Sequence, residues 1–158
     1  MNIDFTVDEV NNIAKGVETK RADVDKALFD AFANMSSGDV DQERTNLKKA
    51  LDAVNGVIPD ISSARDKTQS AAGLNISDAY RQYLEAKTKG LNAALKINEL
   101  DRDMINLLLT DPAMEQPDTT KKVTELQKTI SEQTNTLNES EAEASKIAAE
   151  NKDEISAQ

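Results

Sequence analysis

Residues 40–72 read VDQERTNLKKALDAVNGVIPDISSARDKTQSAA. Val40, Leu47, Leu51, Val54, Ile58 and Ile61 stand at alternating steps of three and four, with Arg44 at the intervening place. Arg65, Thr68 and Ala72 carry the rhythm on. A helix returns to the same flank every three or four residues, whereas a half-buried strand alternates at every second one. The stretch therefore predicts an amphipathic helix over about 39–72. Such a rod hides its apolar flank only by lying against others.

Reading toward the N-terminus, Ser36-Ser37-Gly38-Asp39 interrupts the pattern. Gly takes the left-handed conformation that ends a helix, and Ser or Asp caps the next one. Before it, Val10, Ile13, Val17, Val24, Leu28, Ala31 and Met35 keep helical spacing, and Thr6-Val7-Asp8-Glu9 fits a capping box. This predicts a helix over about 7–34.

Reading toward the C-terminus, Gly73-Leu74-Asn75 breaks the rhythm. A third helix over about 76–110 follows, with a broad apolar face that includes Tyr80, Tyr83, Leu84, Leu91, Ile97, Met104, Ile105 and Leu108. Asp111-Pro112 and Gln116-Pro117-Asp118 stop it, because proline disfavours helical geometry in the residue before it. A fourth helix over about 118–156 has a thinner stripe: Val123, Leu126, Ile130, Leu137, Ala144 and Ile147. Short connections make successive helices antiparallel neighbours. The expected fold is all-α, a single domain over 1–158, folded as an up-down-up-down four-helix bundle of rods roughly 45–55 Å long.

The chain has 158 residues, of which 38% are hydrophobic and only 3% aromatic, so aliphatic side chains must fill the core. The net charge of −10 opposes binding to nucleic acid or to an anionic membrane surface, since both require clustered cations. No apolar run is long enough to span a bilayer, so no direct membrane insertion is expected. The first residues, MNIDFTVDEV, lack the basic start and apolar stretch of a secretory signal. Either a cytosolic protein or a chain that follows a removed signal or anchor is compatible with that start. Cys and His are absent, which removes thiol nucleophiles, imidazole bases and most transition-metal ligands. With no phosphate-binding loop and no nucleophile elbow either, the reading expects no enzyme, no cofactor and no metal site.

Two groups of residues stand out as candidate sites. Arg65, Tyr80, Tyr83 and Lys87 converge when helix 2 folds back on helix 3, and two phenols with two cations suit a small anionic ligand. The plainer reading is edge packing, with tyrosine rings over the core and cations reaching water. Gly16, Gly56, Pro59 and Gly90 fall near one level of the folded chain. Pro59 removes the amide that would bond to Asn55, so a bend or hinge is expected there.

An acidic, Cys-free aliphatic bundle with Ser-, Thr- and Asn-rich faces is similar in composition to bacterial cell-envelope and lipoprotein ectodomains. That likeness implies an extracytoplasmic interaction or spacer module with a protein partner, as a monomer or weak oligomer. Two other roles fit the same pattern. One is a ligand-sensing bundle outside the cytoplasmic membrane. The other is a cytosolic adaptor or secretion partner that packs on another chain's helix.

Overall fold

The computed structural model describes residues 3–155, with side chains from residue 9 onward. Among the described residues there are four long helices and no strand: α1 (Ile3–Ser37), α2 (Val40–Ala72), α3 (Asp78–Thr110) and α4 (Pro117–Glu150). The chain is an all-α four-helix bundle in which α1 packs on α2, α2 on α3 and α3 on α4. Cross-helix bonds show the antiparallel register. Asn46 Nδ2 donates to Asn34 Oδ1 at 2.7 Å near the α1–α2 turn, and Lys20 meets Asp60 at 2.5 Å farther along. The α1–α2 and α3–α4 turns share one end of the bundle, called here the double-turn end.

The turns follow from local chemistry. Gly38 has φ +78°, and the Asp39 amide donates back to the Asn34 carbonyl at 3.0 Å, closing α1. The Asp39 carboxylate then accepts from the Gln42 amide at 3.1 Å and opens α2. Ser77 caps α3 by accepting from the Tyr80 amide. At the third turn the Asp111 carboxylate accepts from the Glu115 and Gln116 amides at 3.0 and 2.9 Å, and Pro117 takes the first helical position of α4.

Three helix ends differ from expectation. α1 runs on to Ser37, past 34. α1 begins at Ile3, so Thr6 lies inside the helix and not at its cap; its side chain falls outside those described. α4 ends at Glu150, short of 156. Asn151 caps it, donating both its amide and Nδ2 to the Ile147 carbonyl. A final turn then brings Ile155 into a fully buried position.

The buried line of α2 runs through Glu43, Leu47, Ala50, Val54, Val57, Ile61, Ala64, Thr68 and Ala71. Leu47, Val54, Ile61 and Thr68 belong to the expected stripe, but Leu51 and Ile58 only flank it, and Val40 is 36% exposed. A helix lodged between two neighbours is centred on the face that lets backbones come close. Here that face carries alanines between the large aliphatics. The main core joins Val24 and Leu28 from α1, Leu47, Val54 and Ile61 from α2, Met104, Ile105 and Leu108 from α3, and Val123 from α4.

Among the described residues no Cα of α1 comes within 8 Å of one of α4. The seam that would close the ring is splayed, and Leu126, Ile130 and Leu137 of α4 stay only half-buried.

α2 continues as one helix through Pro59, which is exposed. Gly16 and Gly56 are also exposed, with open space where a Cβ would stand. Gly90 differs: it is buried against α4, and a Cβ there would lie 3.2 Å from Glu141 Oε1 and 3.5 Å from Leu137 Cδ1. Gly56→Ala should therefore raise unfolding free energy by roughly 0.5–1 kcal/mol, since an exposed helical Gly wastes chain entropy. Gly90→Val should lower it by about 1–3 kcal/mol through overpacking of the α3–α4 seam. Urea unfolding of both variants checks this, and the reverse ranking would contradict the packing.

Candidate functional site

Among the described residues, carboxylates are buried in the core at two levels. The first is mid-bundle. Arg21 occupies the α1 seam between Val17 and Val24 and crosses to α3. There its Nη1 donates to Asn98 Oδ1 at 2.9 Å and pairs with the Asp101 carboxylate, while Nη2 meets Asp25 at 2.8 Å. Asp101 is 3% exposed. Asn98 Nδ2 in turn donates to the Ala94 carbonyl at 2.8 Å. Burial pushes the Asp101 carboxyl above its usual range; the Arg21 guanidinium works against that rise without cancelling it, and Asp25 adds to it. These groups bond to one another. Their effect is to fix the diagonal pair α1 and α3 in one register.

The second level is the double-turn end, where Glu43 is the outermost buried residue of α2. Its side chain is 0% exposed, and among the described residues neither carboxylate oxygen has a hydrogen-bond partner. Burial pushes its pKa up, opposed by the charge of neighbouring Arg44, whose own side chain is exposed. An unpaired buried carboxyl is costly in either protonation state, because the polar group has given up water for nothing. Asp111 at the same end behaves oppositely. The Gln116 amide, then the Thr119 hydroxyl and the Glu115 amide, hold its carboxyl below the usual range.

The residues singled out by sequence are distributed differently. Tyr80 and Tyr83 stand side by side, ring centroids 6.1 Å apart. Lys87, one turn on, pairs with Glu141 of α4 at 2.9 Å. Arg65 is engaged on its own helix, with Asp66 at 2.8 Å and Ser62 Oγ at 3.3 Å. Both cations of the expected anion pocket thus already face protein oxygens. The cavity beside Tyr83 and Lys87, between α1, α2 and α3, measures about 20 Å³, room for about one water molecule. Arg81 has a structural task, donating to the Ala72 and Leu74 carbonyls and tying down the end of α2. Of the level marked by Gly16, Gly56, Pro59 and Gly90, only Gly90 lies in a helix–helix seam.

Among the described residues no group of three or more Asp or Glu side chains is placed to hold a metal ion, and no helix is long and apolar enough to cross a membrane. No protein-family model, curated protein or solved structure matches this chain.

Glu43 gives the sharpest measurable signature. Its folded pKa is raised, so the folded state holds the proton more tightly than the unfolded chain does. Stability is then fully present below the ordinary carboxyl range and falls as pH rises through the folded pKa. Glu43→Met, close in volume and without the polar group, should be at least as stable as wild type near about pH 4, and its advantage should widen as pH rises towards about 8. Chemical denaturation across pH measures the gap, and a gap that stays constant or shrinks with rising pH would contradict the assignment.

Proposed function

We propose that this chain is a non-enzymatic interaction or spacer module of a bacterial cell envelope. It is a stiff helical rod that presents a charged exterior to another protein. The observation that carries the reading is the set of cross-helix ties spread along the bundle. Lys67 of α2 pairs with Glu9 of α1 toward the single-turn end, Lys20 with Asp60 and Arg21 with Asp101 farther in, and Lys87 with Glu141 across α3 and α4. Asn34 and Asn46 close the series near the double-turn end. Exposed ion pairs add little to stability individually. Placed at successive levels, they penalise sliding of one rod along the next, which is the property a spacer needs. The Cys-free, acidic composition supports placement outside the cytoplasmic membrane.

The absence of Cys makes the test direct. Spin labels on Gln69→Cys and Lys121→Cys, exposed positions near opposite ends, report the distance along the bundle by pulsed electron resonance. A single narrow distribution is expected, unchanged by millimolar amino acids or organic acids. A broad distribution would remove the spacer reading, and a shift on adding one of those compounds would replace it with a sensor. Cell fractionation should recover the native chain outside the cytoplasmic membrane; recovery in the cytosol would overturn that placement.

A further inference from the structure

The double-turn end combines three features. The first is charge. Residues 30–43 and 103–120 contain eight Asp or Glu and neither Lys nor Arg. Part of this is local: Asp39 caps α2, Asp111 is held by amides, and Asp30 meets Lys26 at 2.8 Å. Glu43 has no such explanation, being buried at the heart of this acidic end with both oxygens unpartnered.

The second feature is exposed apolar surface at the same end. Phe29 is 73% exposed and Val40 36%. The third is backbone strain: Met114, in the α3–α4 turn, has φ +49°, a left-handed conformation that costs a non-glycine residue energy. That conformation packs the Met114 side chain, still partly accessible, against the core.

We propose that the double-turn end is a docking surface for a basic amphipathic segment of another protein, and that a Lys or Arg of that segment pairs with Glu43. The proposal rests on the reading of the chain as an interaction module and names the partner chemistry. Glu43 sits one helical turn outside Leu47 and is the buried residue of α2 nearest the double-turn end. The splayed α1–α4 seam lets that layer part without breaking a close helix–helix approach. A Lys or Arg stem would pass Val40 while its charge reaches the carboxylate, and the apolar side of the segment would cover Phe29, about two turns back from the end of α1. The incoming cation removes the cost of the unpaired acid, so binding and ionisation of Glu43 favour each other.

The test uses the full isotope-labelled chain and three synthetic amphipathic helices that share a Leu stripe and carry Lys, Glu or Gln on the polar face. The Lys helix is expected to bind with an affinity that falls as salt rises, moving amide signals in residues 29–43 and 103–120. Glu43→Gln, which keeps the side-chain shape, should weaken it by about five-fold or more, as should Phe29→Ser at an exposed position. Glu85→Gln, on α3 away from this end, should leave it unchanged. The proposal is overturned if the Lys and Glu helices bind alike, if the shifts fall elsewhere, if Glu43→Gln binds as wild type, or if the same signals move on self-association of the chain alone. Failure of the Lys helix to bind while the label distances stay narrow defeats this inference alone; broad distances defeat the module reading beneath it.

Discussion

A helix of more than 30 residues whose aliphatic side chains return every third or fourth position cannot shed water from that flank by itself. Everything else in this molecule answers that constraint. With 3% aromatic residues the chain has few large side chains to span wide gaps, so backbones must come close. Ala50, Ala64 and Ala71 on α2, Ala86, Ala93 and Gly90 on α3, and Ala144 and Ala148 on α4 supply the close approaches. The large aliphatics interleave with them, and the three short turns, each capped by Asp or Ser, bring the rods into antiparallel register.

Polar groups placed inside such a core lose stability unless they find partners. Arg21, Asn98 and Asp101 find one another and define which level of α1 faces which level of α3. Glu43 does not, and it sits where the fold is also acidic, apolar on its surface and strained in its backbone.

The fold was legible because its signals are periodic and long. The four stripes, the Gly38 turn and the proline-bracketed connection between α3 and α4 stand in the sequence much as they do in space. The Leu, Ile and Val stripe of α2 lies one flank away from the true centre of burial, which Ala50, Ala64 and Ala71 share. Extending the line from Leu47 by one more turn lands on Glu43, and the four-three step from Ala94 lands on Asn98 and Asp101. Spacing thus predicts that these positions face inward. It says nothing of whether a buried carboxyl will be met by an arginine, as Asp101 is by Arg21, or left alone, as Glu43 is. Partner identity depends on residues 80 positions apart, and no local pattern encodes it. Lys87 shows the same limit: Glu141, which takes it, lies 54 positions away across the α3–α4 turn.

Native-state hydrogen exchange tests the central account most directly, since it reads the stability of each helix separately. With α2 and α3 at the centre and the α1–α4 seam splayed, the slowest amides should be those around Val54–Ile61 and Met104–Leu108. The middle of α4, around Leu126–Leu137, should exchange measurably faster. Protection in the middle of α4 equal to that of α2 would mean that α1 and α4 close on each other in solution, and would contradict the arrangement described.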